Sequence, residues 1–189
     1  MREILHMLLV LSLICAGSGA LLVNLKQATR GQIEQQVLTY VQGPALLSVL
    51  KDRDNDPIAE RVKMGEVNVF PAMKDGKLVG VAFEVFAPGY SGDIGVMVGF
   101  DVEKDEILGI GITTQTETPG LGTRIMEPSF TSKFQGHDLD SMQISSKGGD
   151  IDGIAGATFS SVGTVDAVRK AIEIYQDLKP QIAKTWQAS

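Results

Sequence analysis

Cysteine occurs once, at Cys15, and histidine twice, at His6 and His137. One thiol excludes an internal disulfide framework, a four-cysteine iron–sulfur cluster and a cysteine-based structural zinc site. Two histidines far apart in sequence remove most other metal sites. Basic residues are in deficit, with 17 Lys and Arg against 23 Asp and Glu and a formal net charge of −6. Neutralising a phosphate backbone needs a basic face, so nucleic acid is not an expected partner. What is abundant is glycine: 21 residues in 189, which forecasts tight turns and close backbone approaches. With 43 % apolar and 21 % charged residues, the composition is that of a globular chain with one domain and room for an appendage.

The apolar residues are concentrated at the N-terminus. No formally charged side chain interrupts Ile4 to Leu25. As a helix that run spans roughly 33 Å, close to the ~30 Å hydrocarbon core of a bilayer. We read one transmembrane helix in contact with membrane lipid. A cleaved signal peptide is the rival, with Ser18-Gly19-Ala20 as its cleavage site. Against it, Arg2 is offset by Glu3, and the apolar run continues through Leu21, Leu22 and Val23. Arg2 on one side and Lys26 and Arg30 on the other nearly balance, so charge does not choose an orientation.

Beyond the anchor, Ile33, Val37, Leu38 and Val41 predict a juxtamembrane helix over residues 29–42, broken at Gly43-Pro44, with a short helix from Ala45 to Leu50. Strands are expected at Glu66–Met73 and Leu78–Phe86 around an Asp75-Gly76 hairpin, and at Ile94–Asp101 and Ile107–Thr114. An irregular loop over Gln115–Arg124, a short helix at Ser129–Phe134 and a strand near Leu139–Ile144 follow. Val162, Val165, Val168, Ala171, Ile172, Tyr175 and Leu178 then predict a long helix over Ser160–Leu178. The fold class is α+β: a twisted antiparallel sheet with flanking helices, preceded by one transmembrane helix. Three segments are expected: an anchor (1–28), a juxtamembrane linker (29–59) and a domain (60–189).

Two segments carry potential chemistry. In DGIAGATFSS (152–161), glycines precede hydroxyls gathered where the last helix starts. Helix N-termini present unpaired amides and partial positive charge, so an anionic phosphate suits the place. From these residues alone the plainer reading is that Thr158 or Ser160 simply caps the helix. In ETPGLG (117–122), Pro-Gly and a further glycine make a rigid turn whose amides could face a planar ligand. As a plain connector the irregular stretch would be long, which favours a binding loop.

GYSGDI (89–94), ETPGLG (117–122) and DGIAGATFSS (152–161), in that order, resemble the FMN-binding domain of the G subunit of Rnf electron-transport complexes and of the C subunit of the sodium-pumping NADH:quinone reductase. The resemblance covers roughly residues 60–178, and the anchor matches too. It implies that Thr158 carries FMN through a phosphoester, attached by a separate flavin transferase with FAD as donor. Asp152, Gly156, Ala157 and Thr158 belong to the signature that the transferase reads. Ala155 stands where the family often has serine or threonine, which removes one possible hydrogen bond to the phosphate. Ser160 and Ser161, with the first amides of the last helix, would accept the phosphate charge. Glu117, Thr118, Leu121 and Gly122 would border the isoalloxazine ring, and Tyr90 and Ser91 would line the same cleft.

The resemblance further implies an electron carrier without independent catalysis. It would join the other subunits of an Rnf-type complex in the cytoplasmic membrane, with the flavin domain on the periplasmic or outer side. The compact length favours the Rnf relative over its longer sodium-pump counterpart. A sodium-pump component or a stand-alone flavinylated carrier is the second reading. A membrane-anchored assembly module without cofactor, in which Thr158 is only a cap, is the third.

Overall fold

The computed structural model describes residues 1–139 and 142–186, in two compact units, Met1–Thr39 and Tyr40–Ser189. In the first unit, helix α1 runs from Arg2 to Gln36 with no buried residue. Its leucines, isoleucines and valines are exposed all round, from Ile4 to Leu25. A helical stretch apolar on every side suits lipid. The described residues hold one stretch long and apolar enough to cross a membrane, and it contains α1. Residues 29–36 belong to α1, so the expected separate juxtamembrane helix does not form. Thr29 bonds back to the Leu25 carbonyl and Arg30 pairs with Glu34, which continues the helix past the apolar run. A π-helical turn, Val37–Gln42, then leads without a loop into α2, Gly43–Val49. The break expected at Gly43-Pro44 therefore does not form: Pro44 lies at the junction of the two helical segments, where it only removes one backbone donor.

The second unit is built on five antiparallel strands in sequential order: β1 (Val62–Met64), β2 (Val67–Lys74), β3 (Lys77–Pro88), β4 (Asp93–Asp101) and β5 (Glu106–Thr114). Four of them lie where alternation and turn residues predict; β1 is too short to show a period. Asp75 and Gly76 have φ of 50° and 74°, the two positive values that a two-residue hairpin needs between Lys74 and Lys77. The β3–β4 pairing runs from Gly80 opposite Asp101 to Pro88 opposite Asp93. Only Gly89–Gly92 connect them, closed by a 2.8 Å bond from the Gly89 N–H to the Gly92 carbonyl.

Period-2 burial turns Val81, Phe83, Val85 and Ala87 of β3, and Ile94, Val96, Val98 and Phe100 of β4, to one face. Helix α4 (Thr158–Trp186) covers that face with Val165, Val168, Ala171, Ile172 and Tyr175. Phe100 lies between Phe83 and Tyr175, with ring centroids 5.4 and 4.4 Å away. Such pairs contribute about 0.5–1.5 kcal/mol beyond burial. Burial also pushes the Tyr175 hydroxyl well above its usual pKa, helped by Asp105, to which it donates. On the opposite face, α2 packs against β4 and β5.

Helix α4 is longer than its sequence predicts at both ends. It passes through Pro180 to Trp186, because Ile182 is buried in the same core and its packing offsets the hydrogen bond lost at the proline. Near its start Gly163 lies against the end of β3: a Cβ there would stand 2.4 Å from the Pro88 carbonyl oxygen. The short helix expected at Ser129–Phe134 is α3 (Pro128–Thr131) followed by a 3-10 turn, Ser132–Phe134. Another 3-10 turn, Gly122–Met126, ends the irregular loop earlier than predicted. Of the strand expected near Leu139–Ile144, Asp140 and Ser141 lie outside the described residues, and Ile144 makes an isolated bridge to Ile151.

Candidate functional site

Three segments distant in sequence converge at one end of the sheet: the β3–β4 connection, the loop after β5 and the first turn of α4. Between them lies a cleft of about 330 Å³ lined by Tyr90, Glu117, Thr118, Leu121, Gly122, Gly156, Ala157, Thr158, Phe159 and Ser160. Its size is at the lower end of the range for small-molecule pockets.

Glu117 joins the three segments. Its side chain is 4 % exposed. Oε1 accepts the backbone N–H groups of Tyr90 and Ser91, both at 3.0 Å, and Oε2 accepts the Ser160 hydroxyl at 2.5 Å. The Gln115 side-chain oxygen accepts the Glu117 N–H at 2.7 Å. A buried carboxylate is costly unless its oxygens are satisfied, and here three donors converge on it. Gly122 makes this packing possible, since a Cβ there would stand 2.8 Å from both Glu117 Cβ and Ser160 Oγ.

The DGIAGATFSS segment is held from both sides. Lys133 donates to the Asp152 carbonyl at 2.8 Å. The Ser161 hydroxyl accepts the Ile154 N–H and donates to the Ala157 carbonyl, so it faces inward and does not line the cleft. Gly156 takes φ of +83°, which turns the chain into the helix. The Ser161 N–H reaches the Ala157 carbonyl, making Ala157 the residue before the first helical turn. The amides of Thr158, Phe159 and Ser160 therefore have no helical carbonyl to reach. Thr158 is the first residue of α4, exposed, and its hydroxyl makes no hydrogen bond among the described residues.

The sequence-predicted residues thus divide. Tyr90, Glu117, Thr118, Leu121, Gly122, Gly156, Ala157, Thr158 and Ser160 line one cleft; Ser91, Ser161 and Asp152 lie outside its lining. The Ser160 hydroxyl is directed to Glu117 and not to the helix's own amides. Phe159 is a lining residue that the motifs do not single out. Its ring is 69 % exposed and lies 6.1 Å from that of Tyr90, itself 70 % exposed. The available signal is an aromatic side chain directly after the threonine at a helix start.

The cleft's chemistry fits a phosphorylated planar ligand. A free hydroxyl and unpaired amides meet where a helix N-terminus favours negative charge, and Leu121, Tyr90 and Phe159 supply apolar surface beside them. Residues 89–173, which contain all three segments, match the FMN-binding domain family. Along most of its length the chain is similar to the G subunit of the ion-translocating oxidoreductase complex of Escherichia coli K12, with 32 % identity over 93 % of each chain. It is 30 % identical to the G subunit of the same complex from Stutzerimonas stutzeri, over 91 % of this chain and 81 % of that one. The chain belongs to this family of G subunits, as its three motifs imply. The crystallised C subunit of the Na(+)-translocating NADH-quinone reductase from Parabacteroides distasonis shares the fold, with a TM-score of 0.53 and 24 % identity over 67 % of this chain and 71 % of that one.

Proposed function

We propose that this chain is a membrane-anchored flavoprotein electron carrier, the G-type component of an Rnf-type ion-translocating oxidoreductase complex, with FMN esterified to Thr158 Oγ1. The observation that carries the reading is the exposed Thr158 hydroxyl, at the first residue of α4 and in the cleft bounded by ETPGLG and GYSG. FMN, when bound, supplies reversible uptake and release of electrons. The chain's residues supply its position. The first amides of α4 would hold the phosphate charge, Leu121 would offer an apolar surface and Thr118 a hydrogen-bonding group to the ring. Glu117 holds the surrounding segments in place.

Attachment requires a separate flavin transferase, with FAD as donor and the Asp152, Gly156, Ala157 and Thr158 signature as its target. An ester keeps the cofactor in an open cleft through repeated redox cycles. The anchor confines the domain beside its membrane partners, which raises their effective concentration. We place the flavin domain on the periplasmic or outer side of the cytoplasmic membrane; a compartment-specific reporter fused after Ser189 tests that orientation. Likeness to the Escherichia coli G subunit along more than nine-tenths of the chain favours the Rnf-type role over the sodium-pump one.

Coexpression with a flavin transferase tests the assignment. Denatured wild-type protein run on a gel should fluoresce under ultraviolet light, and Thr158→Ala should be dark. A dark wild-type band beside an active transferase overturns the ester at Thr158.

A further inference from the structure

The π-helical turn Val37–Gln42 separates two helices that are held in different ways. Upstream, α1 has no buried residue. Lys26–Gln36 carry it roughly 16 Å past the apolar run, so the turn stands clear of the hydrocarbon core. Downstream, α2 is seated on the sheet. A Cβ on Gly99 would stand 2.2 Å from Val49 Cγ1, and one on Gly111 would stand 2.9 Å from Ala45 Cβ, so the approach of helix to strands uses both glycines. Leu46, Val49 and Leu50 are buried there. The end of the turn is tied down as well. Gln42 donates to the Glu84 carboxylate on β3, whose other oxygen accepts the Thr113 hydroxyl of β5.

The turn itself is weakly held. Of its six residues Leu38 alone is buried, while Val37 is 37 % and Tyr40 76 % exposed. Few buried contacts mark a segment of low local stability. Pro44 has no N–H to offer the Tyr40 carbonyl, so a regular α-helical ladder cannot run across it. Helices bend at prolines and at π-helical turns, and here the two coincide. The boundary between the two compact units, at Thr39 and Tyr40, falls inside the same turn.

We infer that Val37–Gln42 is a hinge on which the sheet domain turns at the end of a stiff, membrane-anchored stalk. Hinges of this kind confine large φ/ψ changes to a few residues at the ends of elements. Its use rests on the proposed carrier role: a single cleft must face first a donor and then an acceptor, and a hinge between anchor and domain permits both without unfolding either.

The test uses the full chain in lipid nanodiscs, with Cys15→Ser and nitroxide labels on pairs of introduced cysteines, read by double electron–electron resonance. Gln27→Cys with Glu103→Cys straddles the turn. Glu3→Cys with Gln35→Cys lies within α1, and Glu103→Cys with Asp177→Cys lies within the sheet domain; all five positions are exposed. The straddling pair should give a broad distance distribution and the two control pairs narrow ones. Pro44→Ala, which restores a donor for the Tyr40 carbonyl, should narrow the straddling distribution. A straddling distribution as narrow as the controls overturns the hinge. Breadth shared by the α1 pair, or unchanged in Pro44→Ala, puts the bending elsewhere and overturns it too. The distances do not depend on flavin loading, so a dark band in the gel test of Thr158 removes the carrier role and leaves the hinge standing.

Discussion

Ser160 donates a buried 2.5 Å hydrogen bond to Glu117 across 43 residues of chain, and so ties the first turn of α4 to the loop that follows β5. With Tyr90 and Ser91 on the other carboxylate oxygen, the bond links the three motifs that identify the family. Glu117 is therefore an organiser of the cleft as much as a part of its wall.

Glu117→Ala should destabilise the domain by about 2–4 kcal/mol, since it leaves two amides and a hydroxyl without their acceptor. Glu117→Gln should cost less, because one oxygen still accepts while the new NH₂ group cannot. Urea unfolding of the two variants checks the order. An alanine variant as stable as wild type would show that the three donors find other partners.

Gly163→Ala should also destabilise, by about 1–3 kcal/mol, because all three near neighbours of the added methyl are backbone atoms: the Pro88 oxygen at 2.4 Å, and Gly89 Cα and the Pro88 carbonyl carbon at 3.2 Å. Backbone cannot rotate aside, so α4 must move away from the end of β3, and flavin loading should fall with it. Thermal unfolding and intact mass measure the two effects together.

His137 gives the domain a pH dependence of defined sign. Partial burial of its ring opposes protonation, but its hydrogen bonds to the Asp138 carbonyl and the Asp150 carboxylate outweigh that, and its pKa is raised above 6.5. A raised folded-state pKa contributes stability that is complete below the unfolded value and is lost as pH rises through the folded one. Both acidic partners are solvent-exposed, so the contribution is below about 1 kcal/mol. Stability measured at about pH 5.5 and about pH 8 should fall more for wild type than for His137→Gln. Equal slopes would remove the His137–Asp150 pair from the account.

Leu121→Asp should leave attachment at Thr158 possible and lower the flavin potential, because a negative charge beside the ring disfavours its reduced, anionic form. Redox titration of the loaded variant is the measurement. An unchanged potential would take the ETPGLG loop out of the flavin's surroundings.

Much of the fold is readable from the chain. Alternation predicts β2 to β5 to within a few residues, and Asp75-Gly76 specifies its turn through two positive φ values. The elements whose limits differ from expectation owe them to contacts distant in sequence. Helix α4 outlasts Pro180 because Ile182 is buried in the core. Strand β1 exists because β2 offers Val62–Met64 an edge to pair with. At the cleft, the motifs name most of the lining residues but not the direction of their side chains. Ser161 looks inward to Ile154 and Ala157, while Phe159 looks out.

By itself the sequence determined the apolar anchor, the sheet-and-helix composition, the family and the threonine at the helix start, since each of these is written in local pattern: hydropathy, period, turn chemistry and motif. Only the tertiary structure decided that Glu117 is a buried acceptor for three donors, that Tyr90 and Phe159 meet, and that the Ser161 hydroxyl turns away from the cleft. Such outcomes depend on how the end of β3, the loop after β5 and the first turn of α4 approach one another, and no local period encodes that approach.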